Sequence, residues 1–375
     1  MCLLALCACN PFAGDPKRDD TPDDEDTDSG YDTSGPSESD HDSSSVPSTE
    51  IDTWTSSTES SPTNDTESIF SDGGVIDPDC SGCTGLGGTL DNMRCAIDIC
   101  DDATLLSQHY SSPTAPDKTL GTFAAVARLG STANDLAPQV GDSYAVMATG
   151  PALGKNHNVE LNPDQATGDP FSRDGYPVYD VMEWRLGLKA PATAKGFEVS
   201  FVFLSEEYDE YVGSSYNDKF YILIEAASTN SGAKTVINFT SCRDPENYFD
   251  FVCVDESTGC IPGEPFCYVA INTALSECCW YGGCPDGTAT TDLSGTGFSC
   301  APTKSADGLI DLGGKGASYG SSTGWLTTEW PIRAGEEFYI TFHIHDSADA
   351  KLDSEVILDG FRFISEEVKP GTSPQ

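Results

Sequence analysis

From residue 122 onward, apolar and polar positions alternate with a period of two in a series of short runs. Phe197, Val199, Phe201 and Phe203 take turns with Glu198, Ser200, Val202 and Leu204, the pattern of a strand with one face buried. Phe220, Ile222 and Ile224 repeat it. Phe338, Ile340, Phe342 and Ile344 point one way, and Tyr339, Thr341, His343 and His345 the other. Glu355 to Ile364 (EVILDGFRFI) closes the series. Ser143 to Thr149 (SYAVMAT) and Tyr179 to Leu188 (YDVMEWRLGL) add two further strands. Turn signals at Gly130, Pro138-Gln139 and Gly141-Asp142 divide residues 122 to 149 into short pieces, and residues 154 to 177 read as loop. One helix is expected, within Leu90 to Leu106. The pattern predicts an all-β fold, a jelly-roll-like β-sandwich with few short helices.

Two of these strand pairs enclose acidic connectors. The first, within Phe197 to Ile224, reads as a central hairpin whose loop carries Glu206, Glu207, Asp209, Glu210, Asn217 and Asp218 beside Gly213, Ser214 and Ser215. The second is Asp346 to Ser354 (DSADAKLDS). Packing does not require so many oxygen-bearing side chains in one connector, so these loops are the candidate site. If both emerge at the same end of a sandwich, they converge.

Residues 240 to 302 interrupt the pattern with eight cysteines (Cys242, Cys253, Cys260, Cys267, Cys278, Cys279, Cys284 and Cys300) among Gly, Pro and aromatic residues. They read as a disulfide-rich insertion between strands. Its aromatics, Trp280 and Tyr281 among them, would form a recognition surface or, as the commoner use, pack around the bridges. Cys80, Cys83, Cys95 and Cys100 form an earlier cluster. Of 15 cysteines, three lie in the first nine residues, leaving 15 − 3 = 12, an even number that suits disulfides in an exported chain. Zinc is the lesser reading of the Cys80/Cys83 pair, since no second CxxC matches it.

The N-terminus points to export. Leu6-Cys7-Ala8-Cys9 fits the end of a bacterial lipoprotein signal, with Cys9 as the lipidated residue; a positive n-region is missing, so the true start lies upstream on this reading. Residues 10 to 75 hold 18 acidic residues against Lys17 and Arg18, a net of 2 − 18 = −16, with Ser and Thr filling most of the rest. Such a segment cannot bury enough apolar surface to fold. It is expected to be a disordered tether with ends on the order of 45 Å apart. The divisions are thus residues 1–9, a signal remnant; 10–76, the tether; and 77–369, the sandwich. The polar tail from 365 to 375 carries no sorting signal.

With 61 acidic and 19 basic residues, the chain has a formal net charge of −42. That excludes nucleic acid and anionic lipid as natural partners, because both need concentrated Lys and Arg. It favours cations, either bound or as a diffuse cloud, and suits a salty habitat equally well.

FVFLSEEYDEYVGSSYNDKFYILI resembles the central signature of the choice-of-anchor L domain, a family of bacterial exported proteins. Gly141 to Gly150 (GDSYAVMATG) and the closing acidic strand, with Asp353-Ser354 and Val356-Ile357-Leu358-Asp359, extend the resemblance over about residues 85 to 365. The cysteine-rich insertion departs from the family's simpler members. The resemblance implies a β-sandwich-like extracellular domain presented by interchangeable anchors, and no known activity.

Three chemistries suit the residues. Calcium takes six to eight oxygens, and Glu206, Glu207, Asp209, Asn217 and Asp218 would supply them with Asp346, Asp349, Asp353 and Asp359; the plain alternative is two solvated acidic loops, with Glu207 and Asp218 capping or answered by Arg185 or Arg362. Paired carboxylates such as Glu206 and Asp218 would serve a glycosidase-like hydrolase, though in so acidic a chain a pair arises by chance, and GxSxG, HExxH and phosphate-loop motifs are absent. His343 and His345 share a strand face and would hold a transition metal, an exposed strand face being the simpler expectation. The reading that gathers most of the features is a non-catalytic, lipid-anchored adhesion or matrix-binding module on the envelope or outer surface of a Gram-negative bacterium. Its loops are stiffened by Ca²⁺ and its ligand is an extracellular polysaccharide or protein; a purely structural envelope protein is the remaining alternative.

Overall fold

The computed structural model describes residues 75–76, 80, 82–101, 104–154, 156–171, 175–207, 215–241, 266–270, 292–298 and 320–375. Cys9, the tether before Val75, Asp209 and Glu210, and every cysteine of the insertion except Cys267 lie outside them.

In chain order the strands are β1 (Val75–Ile76), β2 (Leu105–Ser111), β3 (Phe123–Val126), β4 (Tyr144–Ala148), β5 (Thr167–Gly168), β6 (Pro177–Lys189), β7 (Gly196–Ser205) and β8 (Lys219–Glu225). There follow β9 (Thr235–Val236), β10 (Phe239–Ser241), β11 (Phe266–Ala270), β12 (Ser321–Ser322), β13 (Leu326–Pro331), β14 (Glu337–Ser347), β15 (Ser354–Ile364) and β16 (Gly371–Pro374). They form two antiparallel sheets. One runs β16-β13-β7-β15-β4-β3, with β1 beside β15 and β12 beside β7; the other runs β10-β11-β8-β14-β6-β2, with β5 on β6 and β9 on β8. The protein is a β-sandwich, as the alternation predicts.

The inner faces carry the apolar halves of the alternating runs. Phe201 of the first sheet meets Phe220 of the second at 5.1 Å between ring centres, and Phe197 stacks on Phe338 at 5.7 Å. Trp184 and Phe342 fill the middle of the second sheet's inner face. The first sheet is buried on its outer face too. There Val202, Leu204, Tyr144, Val146 and Ile357 pack beneath Leu129, Leu136, Leu293 and Phe298 from the overlying loops. This explains why the alternating positions of β7 turn from Glu198 and Ser200 to Val202 and Leu204.

The helix is shorter than expected, α1 (Leu90–Ala96), and the chain is extended again by Leu105. Thr89 caps it, accepting from the Asn92 N–H, while the Asn92 side chain accepts from the Thr89 N–H. Two nested disulfides, Cys80–Cys100 and Cys83–Cys95, staple it, so these cysteines are bridged rather than zinc-bound. Val75 and Ile76, assigned to the tether, pair with Ile364 and Phe363. The polar tail is an edge strand, with Thr372 opposite Thr328.

The main correction concerns connectivity. β7 and β8 do not form a hairpin, because they belong to different sheets, and so do β14 and β15. Each acidic connector therefore crosses from sheet to sheet. In antiparallel order, the end of β7, the start of β8, the end of β14 and the start of β15 all lie at one end of the sandwich.

Candidate functional site

That end is tied together by Asp218. Its Oδ1 accepts the Ser347 N–H at 2.9 Å and its Oδ2 accepts the Ser354 hydroxyl at 2.6 Å. One carboxyl at the start of β8 thus fastens the end of β14 to the start of β15. Ser354 lies opposite Ser205, the last residue of β7, and the Glu206 N–H donates to Asp353 O at 3.4 Å. The described ends of the first acidic connector thus meet the second.

Around Asp218 stand acids that water does not reach. Glu207, Asp346, Asp353 and Glu355 are buried, as is Glu206. Burial pushes the Asp218 carboxyl up to about 7 in spite of its two hydrogen bonds. It raises Glu206 to about 7 and Asp353 to about 8, Asp353 being further opposed by the charges of Glu206, Asp180 and Asp218. Glu207 is raised well above the carboxylate range by burial and by Asp218, to which it hydrogen-bonds. Asp346 is raised by burial and then by Asp218 and Asp353, and Glu355 by burial and then by Asp353. Among the described residues none of these six acids forms an ion pair.

Several of their oxygens are also unengaged. Both oxygens of Asp346 and both of Glu355 lack a hydrogen-bond partner, as do Glu206 Oε1, Glu207 Oε2 and Asp353 Oδ2. The Thr149 hydroxyl, 3.4 Å from Ser354 O, also lies beside Asp346 and opposes the rise, but less than burial, Asp218 and Asp353 drive it. A buried oxygen left without a donor costs about 1–3 kcal/mol, and more when charged. Six acids without ion-pair partners among the described residues therefore stand at one end of the sandwich, and their burial favours the protonated, neutral form. Carboxylate oxygens of this kind are the donors that hard cations take. Among the described residues no three His, Cys, Asp or Glu side chains close on a common point as a ready-made metal site.

The surrounding backbone is shaped for this gathering. Asp180 (φ 42°) sits at a bulge of β6, where the pairing with β14 shifts between Ile344 and Asp346. Its oxygens accept the N–H groups of Leu161 and Asn162 at 3.0 and 3.1 Å, which pins the loop before β5. In the connector after β14, Ala348 (φ 70°) and Leu352 (φ 60°) take left-handed conformations that cost a non-glycine residue free energy. Asp353 donates its N–H to His157 O at 2.6 Å and packs directly on Gly150.

Of the expected ligands, Glu206, Glu207, Asn217, Asp218, Asp346 and Asp353 come to this end. Asp349 is half-buried on the turn, its Oδ1 accepting the Lys351 N–H. Asp359 does not join them. It lies opposite Ser200, further along β15, where its Oδ2 accepts the Gln139 and Val140 N–H groups. Glu355 and Asp180 are members that sequence reasoning missed. Glu355 reads as a polar position in a strand, and only its pairing with Leu204 and Ala148, both beneath the outer apolar layer, shows that it is buried. Arg185 and Arg362 do not answer Glu207 or Asp218: Arg185 pairs with Glu225 at 3.3 Å and Arg362 with Glu198.

The histidines are a second correction. His343 and His345 lie on the outer face of their sheet, as the alternation predicts, but they are buried rather than exposed. His343 Nδ1 is 3.0 Å from Glu183 Oε1, and the two rings bond each other, His343 Nε2 to His345 Nδ1, at 3.0 Å. Both nitrogens of His343 are engaged, so the pair does not present itself to a transition metal. Asp218, the partner assigned to Glu206 in a hydrolytic pair, has no exposed surface and both oxygens engaged; it is closed to a sugar.

No family model matches the chain, and no curated protein matches it. A solved structure of the K2 cleaved adhesin domain of Lys-gingipain aligns with 68% of this chain and 97% of its own, at 14% identity and a TM-score of 0.23. A likeness that slight carries no argument about fold or function.

Proposed function

We propose that the chain is a non-catalytic binding module displayed on a bacterial surface, with calcium holding together the end of its sandwich. The observation that carries the calcium reading is the convergence on Asp218 of Glu206, Glu207, Asp346 and Asp353, all buried and without ion-pair partners among the described residues, the last four with unengaged oxygens. An ion there neutralises charges whose burial otherwise costs several kcal/mol each and draws both connectors to one centre. Glu207, Asp346 and Asp353 offer the oxygens, and Asp218 positions the connectors. The ion is structural on this reading, because the acids do not open to solvent.

Surface display is supported by the lipoprotein-like Leu6 to Cys9, by the acidic segment that follows, and by two disulfides, which belong to oxidising compartments. The resemblance to the choice-of-anchor L family agrees with it. The partner is an extracellular polysaccharide or protein. The hydrolase reading loses ground because Asp218 is sealed.

Calorimetric titration of the full chain, stripped of divalent ions, tests the site. Saturable calcium binding is expected, with Kd on the order of 10⁻⁴ to 10⁻³ M, as for extracellular calcium modules. It should weaken at least tenfold in Asp353→Asn and be unchanged in Asp359→Asn. Absence of binding, or equal loss in both variants, removes the ion from this end.

A further inference from the structure

On the outer face of the β8–β14 sheet, a lysine and an aspartate are buried against each other. Lys219 Nζ stands 3.8 Å from Asp169 Oδ2, and the two side chains are 0% and 1% exposed. Asp169 comes from the loop after β5, so the contact spans residues 169 and 219. Its Oδ1 accepts the Phe171 N–H at 2.8 Å, and its Oδ2 accepts the Tyr221 hydroxyl at 2.8 Å. His345 Nε2, buried and without a hydrogen-bond partner, lies 3.7 Å from the same Oδ2. From His345 the bonded rings lead through His343 to Glu183, which is partly exposed.

This is more than a salt bridge needs. Removing two opposite charges from water carries a desolvation cost that their attraction only partly offsets. A neutral amide in the same place carries no charge. The ammonium lies beside the carboxyl, 3.8 Å from the oxygen that would leave, with a backbone N–H bonded to the other carboxyl oxygen and, at the leaving oxygen, a bonded hydroxyl and an imidazole 3.7 Å away.

We propose that Lys219 and Asp169 condense into an intramolecular isopeptide bond. The Lys219 ammonium passes one proton by way of His345 to Oδ2. The Nζ lone pair then attacks Asp169 Cγ, and the charge that develops on Oδ1 meets the Phe171 N–H, as in an oxyanion hole. Nζ gives up a second proton to Oδ2, the Cγ–Oδ2 bond breaks, and Oδ2 leaves as water. Nζ keeps one hydrogen and Oδ1 becomes the amide oxygen. The step is a condensation and needs no oxidant or co-reactant. His345, which relays the proton, and Tyr221, whose hydroxyl donates to the leaving Oδ2, are the catalytic residues; His343 and Glu183 are positioning residues that hold the His345 ring. The bond ties the loop before β6 permanently to β8, which suits a module that bears tension. It does not depend on the calcium reading.

Peptide mapping by mass spectrometry of the full chain, after reduction of its disulfides, tests it. A branched peptide joining the segments of Asp169 and Lys219 is expected, lighter by one water than the two linear peptides together. Lys219→Arg, which keeps the charge, should yield only linear peptides. Asp169→Asn should still cross-link, now losing one ammonia instead of water, a signature that a merely structural contact does not give. Tyr221→Phe should cross-link more slowly. Recovery of Lys219 and Asp169 in separate, unmodified peptides from the wild-type chain overturns the proposal, as does a water loss that persists in Lys219→Arg. Because the wild-type chain decides, a variant that fails to fold leaves the test intact.

Discussion

In the presence of chelator, the folded body loses stability as the pH rises from about 6.5 to 8, and calcium restores it. The sign follows from the direction of the shifts. Glu206 and Asp218, raised to about 7, and Asp353, raised to about 8, bind protons in the folded chain at a pH where the unfolded chain has released them. Stability therefore falls as the pH rises from the unfolded value near 4 through the folded one. The buried histidines His157 and His345, both lowered by burial, act the other way, but only below their unfolded value near 6.5, so the fall is cleanest above it. Each carboxyl still protonated contributes about 1.4 kcal/mol per pH unit. Over this window the loss is on the order of 2–4 kcal/mol, since the groups are coupled and do not add. For a body of this size that is roughly 4–8 °C in melting temperature. Melts in chelator at several pH values check it; a melting point that holds steady from pH 6.5 to 8 contradicts it.

The second large effect is expected at Gly150. A Cβ there would stand 2.0 Å from Asp353 Oδ2 and 2.4 Å from its Cγ. Neither side can yield easily, because Asp353 is held by His157 O and Val159 N and continues directly into β15. Gly150→Ala should cost about 1–3 kcal/mol, the range for overpacking a buried site. It should also weaken calcium binding about tenfold or more by displacing the carboxyl. Gly168→Ala is the control, since its Cβ meets nothing within 4 Å. Denaturant melts and calcium titrations of the two variants give the comparison. Equal behaviour would mean that Asp353 is not held where the structure places it.

How much of this was legible depended on what alternation encodes. A period of two reports which side chains share a face, and so the inner faces of β7, β8 and β14 were readable from Phe197, Phe220 and Phe338 onward. It does not report which strand lies next door. Phe197 to Ile224 therefore looked like a hairpin although its halves lie in opposite sheets. It also cannot report what covers a face. His343 and His345 belong to the outer face as expected, but Asp169 and Phe171 come from a loop far away in the chain to bury them. The same limit hid Glu355, while Asp359 was grouped with the site by its acidity alone, five positions beyond Ser354.

Edge strands were least visible. β16 reads Gly-Thr-Ser-Pro and joins the sheet by pairing with β13, so nothing apolar marks it. β13 (LTTEWP) carries a weak signal for a similar reason: its inner positions are Leu326, Thr328 and Trp330, of which one is polar. The convergence of the two acidic connectors, by contrast, followed once both were known to cross between the sheets.

The most direct test of the central claim is a thermal melt of the full chain at fixed ionic strength, in millimolar calcium and in chelator, for the wild type and for Asp218→Ala. The account predicts that calcium raises the wild-type melting point by several degrees, as an ion that binds only the folded state must. It predicts little or no rise in Asp218→Ala, in which Ser347 and Ser354 lose the carboxyl that joins their strands. Identical wild-type melts with and without calcium would contradict it, and the buried acids would then be held as neutral, protonated groups.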